Sequence, residues 1–279
     1  MTAVWSWADL GDHSLQKYNI RQYWLLMSVL SVNKFNPTWK RLFIVDQITY
    51  DFIKSRNWDT LWDEIKIIDF KNTEYGNLYN INIYSWPKIY SYGLIDDDVI
   101  VIDIDIVFID TCKIIDHNKI GGKFYDHIND FNINYVGPMA NLSYKEDILT
   151  HIQNHIKHVE GFNILNMNDI CLVGSPIYCP KHLRKKVQNI LRYIIDVEKI
   201  FGGLVPDDCH CELEEEWPIA KIGHDNGGLW QIDDTTYRHG YTSQAYETIY
   251  EGFSKPESII GENIFEKYIK IHECNTEFL

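Results

Sequence analysis

The sequence predicts an α/β protein built on a mixed, mostly parallel sheet flanked by helices. Three observations predict it. Short apolar runs at 3–7, 41–46, 64–69 and 98–103 alternate with segments of helical periodicity, the signature of strands joined by helical crossovers. The run Val99-Ile100-Val101-Ile102 is uniformly apolar and β-branched, which suits a strand buried on both faces. The 279 residues, 45% of them hydrophobic, suffice for a sizeable core.

Residues 3–7 open the chain as a strand. A helix is expected over 18–34, with Ile20, Tyr23, Trp24, Met27 and Leu30 at helical spacing. A strand at 41–46, a short helix at 49–56 and a strand at 64–69 follow. The segment 84–94 reads as a helix with Trp86, Ile89, Tyr90 and Leu94 on one face, leading into the strand at 98–103. Beyond it, strands are expected at 133–136 and 170–178 and helices at 145–159 and 182–201. Gly202-Gly203, Pro206 and Gly227-Gly228 mark loops. There is no internal repeat and no low-complexity linker, so residues 1–279 read as a single compact domain.

A net charge of −14 argues against nucleic acid or an anionic membrane as the main partner. A phosphorylated ligand then needs local neutralisation by a metal and a few Lys or Arg. The six cysteines are scattered, and Cys209-His210-Cys211 lacks the second pair of a zinc site. The first residues show no basic n-region followed by an apolar h-region, and no stretch approaches the ~20 apolar residues of a membrane span. The expected location is cytoplasmic.

The most informative run is Asp98-Val99-Ile100-Val101-Ile102-Asp103-Ile104-Asp105-Ile106-Val107-Phe108. In an extended segment residues two apart point the same way, so Asp103 and Asp105 can share one divalent cation. Two such carboxylates at a buried strand end repel each other and are costly to desolvate without one. Ligands of open α/β sheets bind beyond the carboxyl ends of the strands, where this pair is expected.

With its D-x-D pair following a helix that carries a basic residue (Trp86-Pro87-Lys88-Ile89-Tyr90-Ser91-Tyr92-Gly93-Leu94), the chain resembles the GT-A fold nucleotide-sugar glycosyltransferases, notably glycogenin and bacterial galactosyltransferase-like enzymes. The similarity runs over 1–110 in the order of elements and is specific around 84–110. It implies a GT-A-like, Rossmann-type domain, with 1–110 as the nucleotide-sugar-binding half and 111–279 as the acceptor-binding half. It also implies transfer of a hexose from a UDP-sugar to an acceptor hydroxyl on a glycan, lipid or protein. Asp103 and Asp105 would ligate Mn²⁺ or Mg²⁺, Asp103 also meeting the ribose. Lys88 would reach the donor sugar or phosphate, and Trp5 and Ser6 would line the base pocket.

In such enzymes a His metal ligand stands just before a G-x-x-K-P motif. Gly252-Phe253-Ser254-Lys255-Pro256 matches that motif, but Ile249 holds the His position. His239 is the expected third ligand, with His224 behind it, and Lys255 the expected phosphate contact. The run Glu212, Glu214, Glu215, Glu216 precedes Trp217-Pro218. Its place in the chain suits the group set beside the anomeric carbon, with Glu215 or Glu216 preferred, although such a run is more often a solvated acidic turn. Trp217, Trp230 and Tyr237 offer acceptor-stacking rings.

Other motifs carry less. His151, His155 and His158 fall on one face of an expected helix, yet no carboxylate base lies within as in H-E-x-x-H. P-loop, dinucleotide and G-x-S-x-G signatures are absent from the sequence. Two rival readings remain. One is a haloacid dehalogenase-type phosphatase with Asp103 as nucleophile and Asp105 as acid-base, although three βα units precede its motif here. The other is a non-catalytic sugar-nucleotide or glycan-binding relative.

Overall fold

The computed structural model describes residues 1–9, 19–81, 85–125, 172–192, 195 and 215–239. The expected strand at 133–136 and helix at 145–159 lie outside them. The chain divides into two compact units that interleave along the sequence. Met1–Asp69, Ile100–Lys113 and Ile232–Leu279 form the first, and Phe70–Val99 with Ile114–Gln231 form the second.

The first unit begins with β1 (Thr2–Trp7), β2 (Lys40–Val45) and β3 (Glu64–Ile67). β1 pairs in parallel with β2, setting Thr2 opposite Lys40 and Trp7 opposite Val45, and β2 pairs in parallel with β3. β4 (Val99–Val101) lies on the other side of β1, and Ile102 just after it donates to the Val4 carbonyl at 2.9 Å. With β6 (Ile120–Tyr125), β7 (Leu172–Cys179) and β8 (Leu229–Gln231), the strand order is β3-β2-β1-β4-β7-β6-β8. β6 runs antiparallel to β7 and parallel to β8, so the seven-stranded sheet is mixed. β5 (Ile106–Phe108) and β9 (Tyr237–His239) form a separate antiparallel pair.

Helix α1 (Asn19–Phe35) is buried on nearly every side from Leu25 to Val32 rather than along one stripe. Its buried serines are engaged. Ser28 Oγ accepts the Trp5 indole N–H at 2.8 Å, and Ser31 Oγ accepts the Phe108 backbone N–H at 2.9 Å. Polar side chains on a buried helix are tolerated because each closes a hydrogen bond. Helix α2 (Gln47–Ser55) starts at Asp46, whose carboxylate caps the Thr49 N–H at 2.8 Å. It stops before Asn57, which takes φ 57, a left-handed conformation that asparagine adopts readily. Burial of Val4, Trp5, Leu42, Phe43, Ile44 and Ile53 builds the core here, each such side chain contributing about 1.5–3 kcal/mol.

The second unit contains α3 (Trp86–Tyr92), α4 (Arg184–Gln188) and α5 (Trp217–Asp225). Pro87 and Pro218 stand in the first turns of α3 and α5, where a missing N–H costs no hydrogen bond. Phe70, Trp86 and Tyr90 meet edge to face, with Phe70 and Trp86 centroids 5.2 Å apart. Arg184, 5% exposed, is satisfied by Asp96 at 3.1 Å and by the Lys181 carbonyl at 3.1 Å.

Candidate functional site

In the first unit the strand order reverses at β1. The chain moves outward from β1 to β2 and β3, then returns to place β4 on the opposite side. Such a reversal opens a crevice beyond the carboxyl ends of the two central strands, the usual ligand position in an open α/β sheet. Ser6 and Trp7 end β1, Asp46 follows β2, and Asp103 and Asp105 follow β4. Asp46 is already engaged, since it caps α2 and accepts the Asp9 N–H at 2.7 Å. Ser6 Oγ and Trp7 Nε1 differ: both are out of solvent reach and have no hydrogen-bond partner. Buried polar groups in that state are costly.

Asp103 and Asp105 do not continue the strand. The Ile106 N–H donates to the Asp103 carbonyl at 3.0 Å, closing a turn over Asp103-Ile104-Asp105-Ile106. The expected strand alternation therefore does not orient the two carboxylates; a half-buried turn does. The turn delivers the chain into β5, and β5 pairs with β9 so that Ile106 faces His239. Backbone register thus carries His239, distant in sequence, to the residue after Asp105.

Two carboxylates on one turn are oxygen donors of the kind a hard divalent cation takes. Among the described residues no group of three or more His, Cys, Asp and Glu side chains stands ready to hold a metal.

In the second unit Lys88 and Glu215 meet. Lys88 Nζ lies 2.7 Å from Glu215 Oε1, with the lysine side chain 18% exposed and the glutamate side chain 4%. Lys88 comes from α3, and Glu215 from the residues leading into α5. Glu215 is therefore no solvated acidic turn but one half of a buried ion pair. Glu216, half-buried, is the N-cap residue of α5.

Other expected site residues are placed elsewhere. Trp5 is 0% exposed and its N–H is engaged by Ser28, so it offers a ligand neither surface nor donor. Trp7, at the last position of β1, is the residue that sequence reading passed over; its place at the strand end was the available signal. Trp230 (7% exposed) donates to the Lys119 carbonyl at 3.1 Å, and Tyr237 (3%) packs 6.3 Å from Phe108, so both rings face the interior. His224 is exposed on α5, 3.7 Å from Asp225. Lys255, the 252–256 motif, Cys209 to Cys211 and the histidines at 151, 155 and 158 lie outside the described residues.

No protein-family model matches the chain, and no characterised protein matches it in sequence. Among solved structures the chain is similar to a galactosyltransferase, LgtC, in complex with donor and acceptor sugar analogues. Identity is 14% and the TM-score 0.44, over 83% of this chain and 73% of that one. Likeness at that level says nothing about activity. No helix among the described residues is long and apolar enough to cross a membrane.

Proposed function

We propose that the protein is a metal-dependent glycosyltransferase that moves a hexose from a UDP-sugar to an acceptor hydroxyl, with its donor-binding residues within 1–110 and its acceptor-binding residues within 111–279. The observation that carries this reading is the carboxylate turn Asp103–Asp105 at the reversal of strand order, with His239 set by register opposite Ile106. Asp103, Asp105 and His239 would hold Mn²⁺ or Mg²⁺. That cation, when bound, neutralises negative charge on the departing diphosphate.

This chain's own groups do the rest. Ser6, half-buried at the end of β1, would line the base pocket. Lys88 would place an ammonium on the diphosphate or donor sugar, and Lys255 would add a second point charge. Glu215 or Glu216 would stand by the anomeric carbon or the acceptor hydroxyl. The phosphatase alternative has less support, because its nucleophile belongs after the first strand, whereas Asp103 follows the fourth.

Calorimetric titration of UDP with and without Mn²⁺, repeated on Asp105→Asn, tests the reading. Micromolar binding that needs both Mn²⁺ and Asp105 is expected, after which UDP-sugars are screened for turnover. Absence of UDP binding under every condition overturns it, and tight binding without turnover for any donor points to a non-catalytic binding module.

A further inference from the structure

The Lys88–Glu215 pair is built asymmetrically. The carboxylate is 4% exposed, while the lysine side chain keeps 18% of its surface in reach of solvent. The lysine side chain is therefore the partner in closer reach of solvent. Breaking a buried ion pair is costly when it strands one charge. Residues 215 and 216 are themselves helical and run directly into α5, so the Glu215 backbone is fixed by that element. The ammonium, on a flexible four-carbon stem, is the mobile partner.

We infer that Glu215 is a positioning residue that acts through Lys88, an internal counter-charge competing with a diphosphate group for the same ammonium. With no anion bound, the carboxylate holds Lys88 at 2.7 Å and offsets its charge. When a diphosphate binds, Lys88 changes partner, and the cost of parting it from the buried carboxylate is set against the new contact. The negative charge of Glu215 then weakens the grip on diphosphate and speeds its departure. This departs from the base role considered above for Glu215. It rests on the donor reading only for the identity of the anion.

The test is calorimetric titration of inorganic pyrophosphate, without metal, into the full chain and its variants. Removing the carboxylate charge while keeping its shape, Glu215→Gln, is expected to tighten pyrophosphate binding at least about tenfold, the order of effect of one charge within ~4–6 Å. The gain must vanish in the double variant with Lys88→Gln. Glu215→Asp, which keeps the charge but draws it back from Lys88, covers the case in which the glutamine variant does not fold, and should tighten binding about threefold. A purely structural ion pair predicts unchanged or weaker binding in both, and that result overturns the inference. The UDP and Mn²⁺ titration on Asp105→Asn is run beside it. Loss of that signal with the Glu215→Gln gain intact removes the UDP-sugar reading and leaves the counter-charge standing. The converse removes the counter-charge alone.

Discussion

Ile106 and His239 face each other across the antiparallel ladder of β5 and β9, one residue beyond Asp105. Opposed residues in such a ladder have Cα atoms about 4.5–5.5 Å apart, so His239 belongs to the neighbourhood of the carboxylate turn by backbone geometry alone. If His239 ligates the cation, His239→Ala lowers Mn²⁺ affinity at least tenfold, since even outer-shell changes cost about 10–100-fold. Electron paramagnetic resonance titration of Mn²⁺ reads this directly. His224→Ala should change nothing; a reversed pattern assigns the ligand to His224 instead.

The bond from the Trp5 indole to Ser28 gives a stability prediction. Both residues are fully buried, so Ser28→Ala leaves the indole N–H without its acceptor. The expected loss is about 1–3 kcal/mol, the desolvation penalty of a stranded donor. Urea unfolding measures it, and an unchanged midpoint would show that the bond contributes nothing net. Ligand binding should survive the change, because Trp5 presents no surface to solvent.

The half of the fold legible in the sequence is the half with strong periodicity. The first strand, the helix after it and the strands at β2, β3 and β4 follow from apolar runs and helical spacing, with ends shifted by a few residues. What escaped was short or interrupted. β6 contains Gly121-Gly122 and Lys123, which erase any alternation, and Gly121 is required there because a Cβ would lie 2.3 Å from the Trp230 ring. β8 and β9 have three residues each, too few for a period. α5 carries Pro218 and Gly223, both poor helix signals in isolation. Of the site, the Asp103–Asp105 pair was legible as composition but not as a turn, because the hydrogen bond that closes it is made by backbone. The Lys88–Glu215 pair joins residues 127 positions apart, a tertiary fact that no local pattern encodes.

Acid should act partly through Asp63. The Arg41 guanidinium, 2.8 Å from its carboxylate, together with the Arg41 backbone N–H, holds its pKa below the ordinary value of 3.8. A depressed carboxylate contributes stability that is present above its unfolded value and is lost as the pH falls through the folded one. As the pH falls from about 4 through the lowered folded value, the wild type should therefore lose more stability than Asp63→Asn, in which this proton linkage is absent. The pair is partly exposed, so the effect is modest and shrinks in high salt. Parallel pH profiles of the urea midpoint for the two proteins would contradict this.

The described cysteines should be inert in the folded protein. Burial, with the charge of Asp233 behind it, pushes the Cys112 thiol up to about 12, and full burial raises that of Cys179 as well. Because only the thiolate is nucleophilic, a thiol of that pKa is ionised at pH 8 to the order of one part in ten thousand. Cys112 is also 5% exposed, and its backbone N–H is held by Asn36 at 3.0 Å, so a reagent has no path that leaves the structure intact. Brief treatment with iodoacetamide at pH 8 should leave both residues unmodified by peptide mass spectrometry, while treatment in denaturant modifies both. Native labelling of Cys112 at the denatured rate would mean that the segment after β5 opens easily. In that case Asp103 and Asp105, a few residues earlier on the same strand connection, would lack the rigid support a metal site requires.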